Sequence, residues 1–274
     1  MTATPNFTLA ELITVNLARS FKDKEVGFTG LVTGGAAALY GTSIPLAAMT
    51  LARLTHAPDL TILLAGWSHN PDLSTLNVMP DSEFDAVLRD LPCEAHMMSY
   101  PGTWAIKRGD IDFGFSSAVQ VDQVGNINSV LVGKDHKKPK VRLVGPILQP
   151  EHMALFGREY VMMPHHNVRN FVDRVDYISG VGYPGGLAGR ADLGLSRGGP
   201  EWVVTPKCIF DFEKKAGAIR VYSIHSEDDR DLQSHTGFHV DAERASLTPR
   251  PTADELEILR RLVDPKGILL GKHL

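Results

Sequence analysis

The sequence predicts an α/β fold whose sheet is mostly parallel, with an antiparallel portion towards the C-terminal end. Two observations carry this expectation. Residues 25–31 and 60–64 are short apolar runs separated by a glycine-rich segment and a helix-like stretch, the pattern of a βαβ unit. Residues 202–204, 208–212 and 219–224 follow one another at the short spacing of an antiparallel meander. No internal repeat and no linker-like stretch interrupts the 274 residues, so a single domain over residues 1–274 is expected.

Taken in order, Thr8 and Glu11 have the spacing of a capping box, in which hydroxyl and carboxylate each satisfy a free amide. Leu9, Leu12, Ile13, Leu17 and Phe21 then share one face, which predicts an opening amphipathic helix. Gly27 and Gly30 weaken the ends of the first strand, and residues 30–41 form a glycine-rich loop. Thr42-Ser43-Ile44-Pro45 reads as a helix start, with a capping hydroxyl and a proline in the first turn. That helix runs to about His56, and Pro58-Asp59 breaks it. The run 60–64 carries no charge and is expected to be buried on both faces, as parallel strands are. It stops at Ala65-Gly66, and ligands bind outside the carboxyl ends of such strands. The turn Ala65-Gly66-Trp67 is therefore a candidate site, although it holds no acid, thiol or lysine.

Residues 67–80 are expected to form a long loop. Phe84, Val87, Leu88 and Leu91 predict a second helix begun at Asp81-Ser82. Residues 110–122 predict a strand pair closed at Gln123-Val124-Gly125, with 126–132 as the return strand. Residues 134–140 form a basic loop, 141–144 and 160–163 are further strands, and the glycine-dense stretch 180–199 is expected to be irregular. Pro251-Thr252 starts a terminal helix through Glu255, Leu256, Ile258, Leu259 and Leu262.

Composition excludes several classes. With 43% hydrophobic and 22% charged residues the chain is ordinary for a globular protein. Its formal net charge of -4 is mixed along the chain, which gives no footprint for nucleic acid or an anionic membrane. No secretory signal and no membrane-spanning run is expected. Cys93 and Cys208 stand far apart and outside any CxxC pattern, which points to a reduced, cytoplasmic protein.

Chemical motifs are sparse. The glycine loop has neither the dinucleotide-binding nor the P-loop spacing, so it reads either as a plain connection or as the lining of a pocket or partner surface. The histidines show no metal-ligand spacing and no metal site is expected. No GxSxG elbow is present. The Lys134–Lys138 stretch is either a solvated loop or a contact for a phosphorylated ligand such as the nucleotide end of coenzyme A.

Two segments carry a family resemblance. Gln120-Val121-Asp122-Gln123-Val124-Gly125-Asn126-Ile127-Asn128-Ser129 resembles the signature AQ-[IV]-D-x-x-GN-[IV]-N of class I coenzyme A transferases. Gly41-Thr42-Ser43-Ile44-Pro45, continuing through Ala57-Pro58-Asp59, resembles their glycine loop and first crossover helix. Val175-Asp176-Tyr177, Gly185-Gly186, Asp192-Leu193-Gly194-Leu195, Val203-Val204-Thr205 and Thr236-Gly237-Phe238 recur in the order found in β subunits of the glutaconate transferase type. The resemblance covers nearly the whole chain. It implies the open α/β/α sandwich of that family and an α subunit as partner, in a heterodimer or an α2β2 heterotetramer.

The resemblance also implies a nucleophilic glutamate just after the strand 60–64, and Ala65 occupies that position. An alanine cannot attack a thioester. A second departure is Gly145-Pro146-Ile147-Leu148, where many relatives keep a glycine-rich turn. A β subunit with the transferase frame but without the glutamate resembles that of steroid ring-cleaving CoA hydrolases. The implied activity is the hydrolytic opening of a cyclic β-oxo-acyl-CoA, with the catalytic acid in the α subunit and no catalytic residue in this chain. Coenzyme A enters as part of the substrate, and no separate cofactor is implied. Ala65, Gly66, Trp67, Gln120, Asp122, Asn126 and Asn128 are the candidate substrate-binding residues; for the last four, a turn-holding role stays equally open. A CoA-transferase subunit and a non-catalytic scaffold are the alternative functions.

Overall fold

A computed structural model describes residues 6–32, 34–65, 68–82, 85–96 and 109–271. They fall into two compact units, one made of Met1–Ala105 with Pro249–Leu274, the other of Ile106–Thr248.

In the first unit, helix α1 (Leu9–Ser20) opens on the expected capping box: Glu11 N donates to Thr8 Oγ1 at 3.2 Å and Thr8 N to Glu11 Oε2 at 2.8 Å. Strands β1 (Val26–Thr29) and β2 (Thr61–Leu64) pair in parallel. The crossover between them is α2 (Gly35–Thr55), which is longer than the sequence predicts. Thr42 and Ser43 do not cap it. They lie inside a π-helical turn, Leu39–Ser43, that precedes the regular helix Ile44–Thr55. The reason is Pro45, which has no N–H for the carbonyl of Gly41. The Thr29 hydroxyl donates to that carbonyl instead, at 3.3 Å, and Ile44 N shifts one residue back to Leu39 O. By length and composition α2 would suffice to cross a membrane, contrary to the sequence expectation. Its residues 44–49, 51 and 52 are nevertheless buried within the unit, as in a core helix.

The expected loop 67–80 holds a strand, β3 (Ser68–Pro71), antiparallel to β2 with Leu64 opposite Ser68. Strand β4 (Cys93–His96) pairs antiparallel with β3. The second predicted helix is a single turn, α3 (Ala86–Arg89), capped by Asp85 and not by Asp81-Ser82; Phe84 lies outside the described residues. The terminal helix forms as expected: α6 (Ala253–Ile258) has a capping box of Thr252 and Glu255 and ends in a π-helical turn, Leu259–Val263. Arg19 and Arg260 tie α1 to it through bidentate bonds to Glu255 and Glu11 respectively.

In the second unit, strand β5 (Phe113–Ser116) is parallel to β10 (Arg158–Met162), and β10 to β11 (Pro200–Val204). The predicted meander follows: β11, β12 (Cys208–Glu213) and β13 (Ala218–Ile224) are antiparallel neighbours, and β14 (Ser246–Leu247) closes the edge in parallel. The order across the sheet of this unit is therefore β14-β13-β12-β11-β10-β5. Residues 110–132 do not make one strand pair. They feed β5 into the sheet and then form the hairpin β6 (Gln120–Val121) and β7 (Ile127–Asn128). Strand β8 (Leu131–Val132) pairs separately with β9 (Val141–Arg142), the short exposed remnant of the strand expected at 141–144.

Two further helices were not foreseen. Helix α4 (Gln149–Leu155) starts at a proline, and α5 (Gly186–Asp192) rises within the glycine-dense stretch. The buried Arg190 of α5 gathers that stretch by donating to the carbonyls of Val181, Gly182, Met153 and Arg197. The core packs Val121, Ile127, Phe171, Tyr183, Val203 and Phe210 with their neighbours.

Candidate functional site

The signature segment folds into the β6–β7 hairpin because Asp122 replaces the missing ladder bonds at its turn. Asp122 Oδ1 accepts from the amides of Val124 (3.2 Å) and Asn126 (3.0 Å), and Oδ2 from Asn126 Nδ2 (3.0 Å). Burial pushes its carboxyl above the usual range, against the pull of those three donors. Gly125 must be glycine: its φ is +79°, and a Cβ would stand 2.6 Å from the Phe212 ring. Asn128 Nδ2 donates to Gln120 Oε1 and to Leu131 O, both at 2.7 Å, and its Oδ1 accepts from Val130 N at 3.0 Å. Gln120 reaches Asp176 at both ends of its amide, and Asn126 Oδ1 accepts from Gly182 N. The structure thus brings Gln120, Asp122, Asn126 and Asn128 together, and each is buried and bonded within the second unit.

Segment 143–149 lies against this hairpin. Leu143 N donates to Val130 O, Gly145 N to Ser129 O, and Gln149 Nε2 to Ser117 O. Ser179 Oγ donates to Gln149 Oε1.

Ala65 belongs to the first unit. Its amide continues the β1–β2 ladder by donating to Thr29 O at 2.8 Å, and its φ of +51° puts it in the left-handed region. That conformation costs a non-glycine residue about 1 kcal/mol. Ala65 follows β2 directly, and β3 pairs antiparallel with β2 from Ser68 onward, where a long loop was expected. Gly66 and Trp67 lie outside the described residues. Behind the turn, Asn70 Oδ1 accepts from Ile62 N at 2.7 Å and Nδ2 donates to Glu94, which also meets Arg53 at 3.1 Å. Burial lowers the pKa of His69 on the same strand, and Glu94 opposes that shift.

The glycine loop lines a pocket in the first unit. A cleft of about 290 Å³ has Gly34, Gly35, Leu39, Met79, Asp81 and Ile268 among its walls. Its walls are mostly apolar, with Ser43 and Asp81 among them, and the first turn of α2 lines it.

Two buried polar clusters escaped sequence reasoning, because their members stand tens of residues apart. Ser116 Oγ donates to Glu159 Oε1, His152 Nδ1 lies 3.3 Å from the same oxygen, and Oε2 has no hydrogen-bond partner among the described residues. This is not a Ser–His–Asp arrangement, since the carboxylate and not the imidazole accepts from the Ser116 hydroxyl. The second cluster surrounds His166, held by Thr205 Oγ1 at 3.0 Å and Thr236 Oγ1 at 3.1 Å and stacked on Phe171. Burial lowers its pKa to about 3, with Lys207 adding to the shift, so the ring is neutral near pH 7. Burial pushes the adjacent Cys208 thiol far up, which leaves it inert as a nucleophile. Among the described residues no group of three or more His, Cys, Asp or Glu could hold a metal ion.

Comparison with known proteins places these parts in a family. No family model matches the chain. It is, however, 33% identical over 258 residues to the B-type subunit of 3-oxoadipate CoA-transferase from Pseudomonas knackmussii, covering 93% of both chains. It is 27% identical over 265 residues to the B-type subunit of glutaconate CoA-transferase from Acidaminococcus fermentans, 95% of this chain and 94% of that one. The crystal structure of that organism's enzyme matches with a TM-score of 0.77 at 25% identity, over 98% of this chain and 99% of the other. The cholesterol ring-cleaving hydrolase IpdB subunit of Rhodococcus jostii is 28% identical over 232 residues, 82% of this chain and 84% of that one. The crystal structure of IpdAB from Rhodococcus jostii RHA1 matches with a TM-score of 0.73 at 25% identity, over 96% and 97% of the two chains. The resemblance carried by the 120–129 signature is borne out, and by identity and by length covered this chain belongs to the CoA-transferase family, as a B-type subunit.

Proposed function

We propose that this chain is the B-type subunit of a two-chain enzyme that opens the last ring of a steroid-derived cyclic β-oxo-acyl-CoA by hydrolysing a carbon–carbon bond. The observation that carries the reading is Ala65. Where the family resemblance implies a nucleophilic glutamate, this chain has a methyl group held in a left-handed turn. The relative named as a cholesterol ring-cleaving hydrolase subunit adds support.

In this reading water attacks the ring ketone β to the thioester carbonyl. The bond between the ketone carbon and the carbon next to the thioester then breaks. Its electron pair passes into the thioester as an enolate, which takes up a proton, and the ketone carbon leaves as a carboxylate with the CoA thioester intact. A carboxylate of the A-type partner acts as general base. Coenzyme A is part of the substrate, and no separate cofactor enters. This chain contributes no charge of its own at Ala65, Gly66 and Trp67, which we assign to substrate binding; in the second unit, hydrogen bonds hold Gln120, Asp122, Asn126 and Asn128 in fixed places.

The second reading is a CoA transferase, favoured by the 33% identity to the B-type subunit of a transferase over 93% of the chain. The two separate cleanly. Co-produced with its A-type partner, the chain is expected to convert a cyclic β-oxo-acyl-CoA to a product heavier by one water, with no acyl acceptor present. A strict requirement for a second carboxylic acid, with CoA moved onto it, would reject hydrolysis and establish the transferase.

A further inference from the structure

The basic run that joins β8 to β9 in the second unit has no part in the site described so far. Lys134, Lys137, Lys138, Lys140 and Arg142 are exposed, and none of them forms an ion pair among the described residues. These cations are gathered in one hairpin on a chain whose formal net charge is -4. The hairpin tip is ordered by its own bonds. Asp135, the one acid of the run, accepts at Oδ1 from Lys137 N at 2.9 Å and Lys138 N at 3.3 Å. The tip is also fastened to the neighbouring segment 175–177. His136 Nε2 donates to Asp176 O at 2.9 Å, and Gly133 N donates to Asp176 Oδ2 at 3.0 Å. The same Oδ2 accepts from Gln120 Nε2 at 3.1 Å, so the basic tip and the signature hairpin share one anchor, whose charge two donors already engage. Beside it the His136 and Tyr177 rings meet at 5.6 Å and 64°, and the Tyr177 ring stays exposed.

Cations around an exposed ring that is held in place suit a ligand made of an aromatic base and phosphates. Phosphate oxygens take charge-assisted bonds from lysine and arginine, and a purine stacks on an aromatic face. An ordered tip loses little entropy on binding, which favours a ligand that meets several of these groups at once. The thioester proposed above carries such a group at its far end, an adenine with a diphosphate and a 3′-phosphate. Resting on the coenzyme A part of that reading, we propose that the β8–β9 tip and Tyr177 bind the 3′-phosphorylated adenosine diphosphate end of the substrate. Tyr177 takes the adenine, and Lys137 and Lys138 with the other cations of the tip take the phosphates. The nucleotide has no share in the bond changes; it holds the substrate, and its anchor through Asp176 to Gln120 ties that hold to the signature hairpin.

The test is calorimetric titration of coenzyme A, 3′-dephospho-coenzyme A, ADP and pyrophosphate into the full chain co-produced with its A-type partner. The wild type is expected to bind coenzyme A about tenfold more tightly than the dephospho form, and more weakly as salt is raised. Lys137→Ala/Lys138→Ala should raise the dissociation constant for coenzyme A roughly tenfold and flatten that salt dependence. Tyr177→Ala should weaken coenzyme A and ADP about tenfold and leave pyrophosphate as it was. Tyr177→Phe should keep the wild-type affinity, because stacking needs the ring and not the hydroxyl. Coenzyme A and pyrophosphate bound equally well, with no effect of Tyr177→Ala, would reduce the tip to a patch for any phosphate and overturn the proposal. Coenzyme A bound as tightly by the lysine and alanine variants as by the wild type would put the nucleotide elsewhere, and the hydrolase reading would stand without this site. A wild-type pair that binds no coenzyme A at all would remove the proposal together with the reading it rests on.

Discussion

Asn128 illustrates what a single residue does in the signature segment. Its amide bonds a side chain and a carbonyl through nitrogen and two backbone amides through oxygen, and no part of it is exposed. Asn128→Ala would take one donor from Gln120 Oε1 and the side-chain partner from three backbone groups, Leu131 O and the amides of Val130 and Leu131. The expected cost is about 3 kcal/mol, read as a lower urea midpoint at unchanged slope. A midpoint that stays put while substrate affinity falls would instead make Asn128 a substrate contact. The sequence left these two roles equally open, and it had to, because spacing shows which residues share a turn but not where each donor points. Ala65 is the opposite case. Its lack of a functional group is plain in the sequence, whereas its left-handed backbone is not, since alanine carries no signal for φ above zero.

Elements were legible where one local device decided them. Both capping boxes, Thr8 with Glu11 and Thr252 with Glu255, form as their spacing requires, and the 202–224 meander follows from β-rich runs set close together. Elements were misread where a distant group supplied the missing bond. The start of α2 looked like Thr42-Ser43 because Pro45 normally marks a first turn, but Thr29 on β1 frees Pro45 to sit mid-helix. The contact of α1 with the terminal helix is likewise long-range. Glu11 is 1% exposed on its side chain and accepts from Arg260 Nε at 2.6 Å and Nη2 at 2.9 Å. Arg260→Met keeps the packing of the stem but takes the cation from a buried carboxylate. The expected loss is about 3 kcal/mol in chemical denaturation. A loss below about 0.5 kcal/mol would mean that the pair behaves as a solvated surface bridge.

At the scale of the whole molecule, the family was legible because its short motifs recur in order across both units, from the glycine loop to Thr236-Gly237-Phe238. Each motif is too brief to decide anything, but their order is hard to reach by chance. The sequence could not show which surfaces the single chain leaves exposed, because exposure is a property of the assembled fold. The site turn makes a prediction about the isolated chain. A turn without a nucleophile is what half of an enzyme would present. The lone chain is therefore expected to fold but to turn over no acyl-CoA thioester. Adding the A-type chain should restore turnover and raise the melting temperature in a concentration-dependent way, because a partner that binds only the folded chain stabilises it by mass action. At a partner concentration about a hundred times the dissociation constant the gain is roughly 2.7 kcal/mol, large enough to read in a calorimetric scan. Turnover by the purified lone chain at the rate of the mixture would show that this chain carries its own catalytic group, and the role assigned to Ala65 would then be wrong.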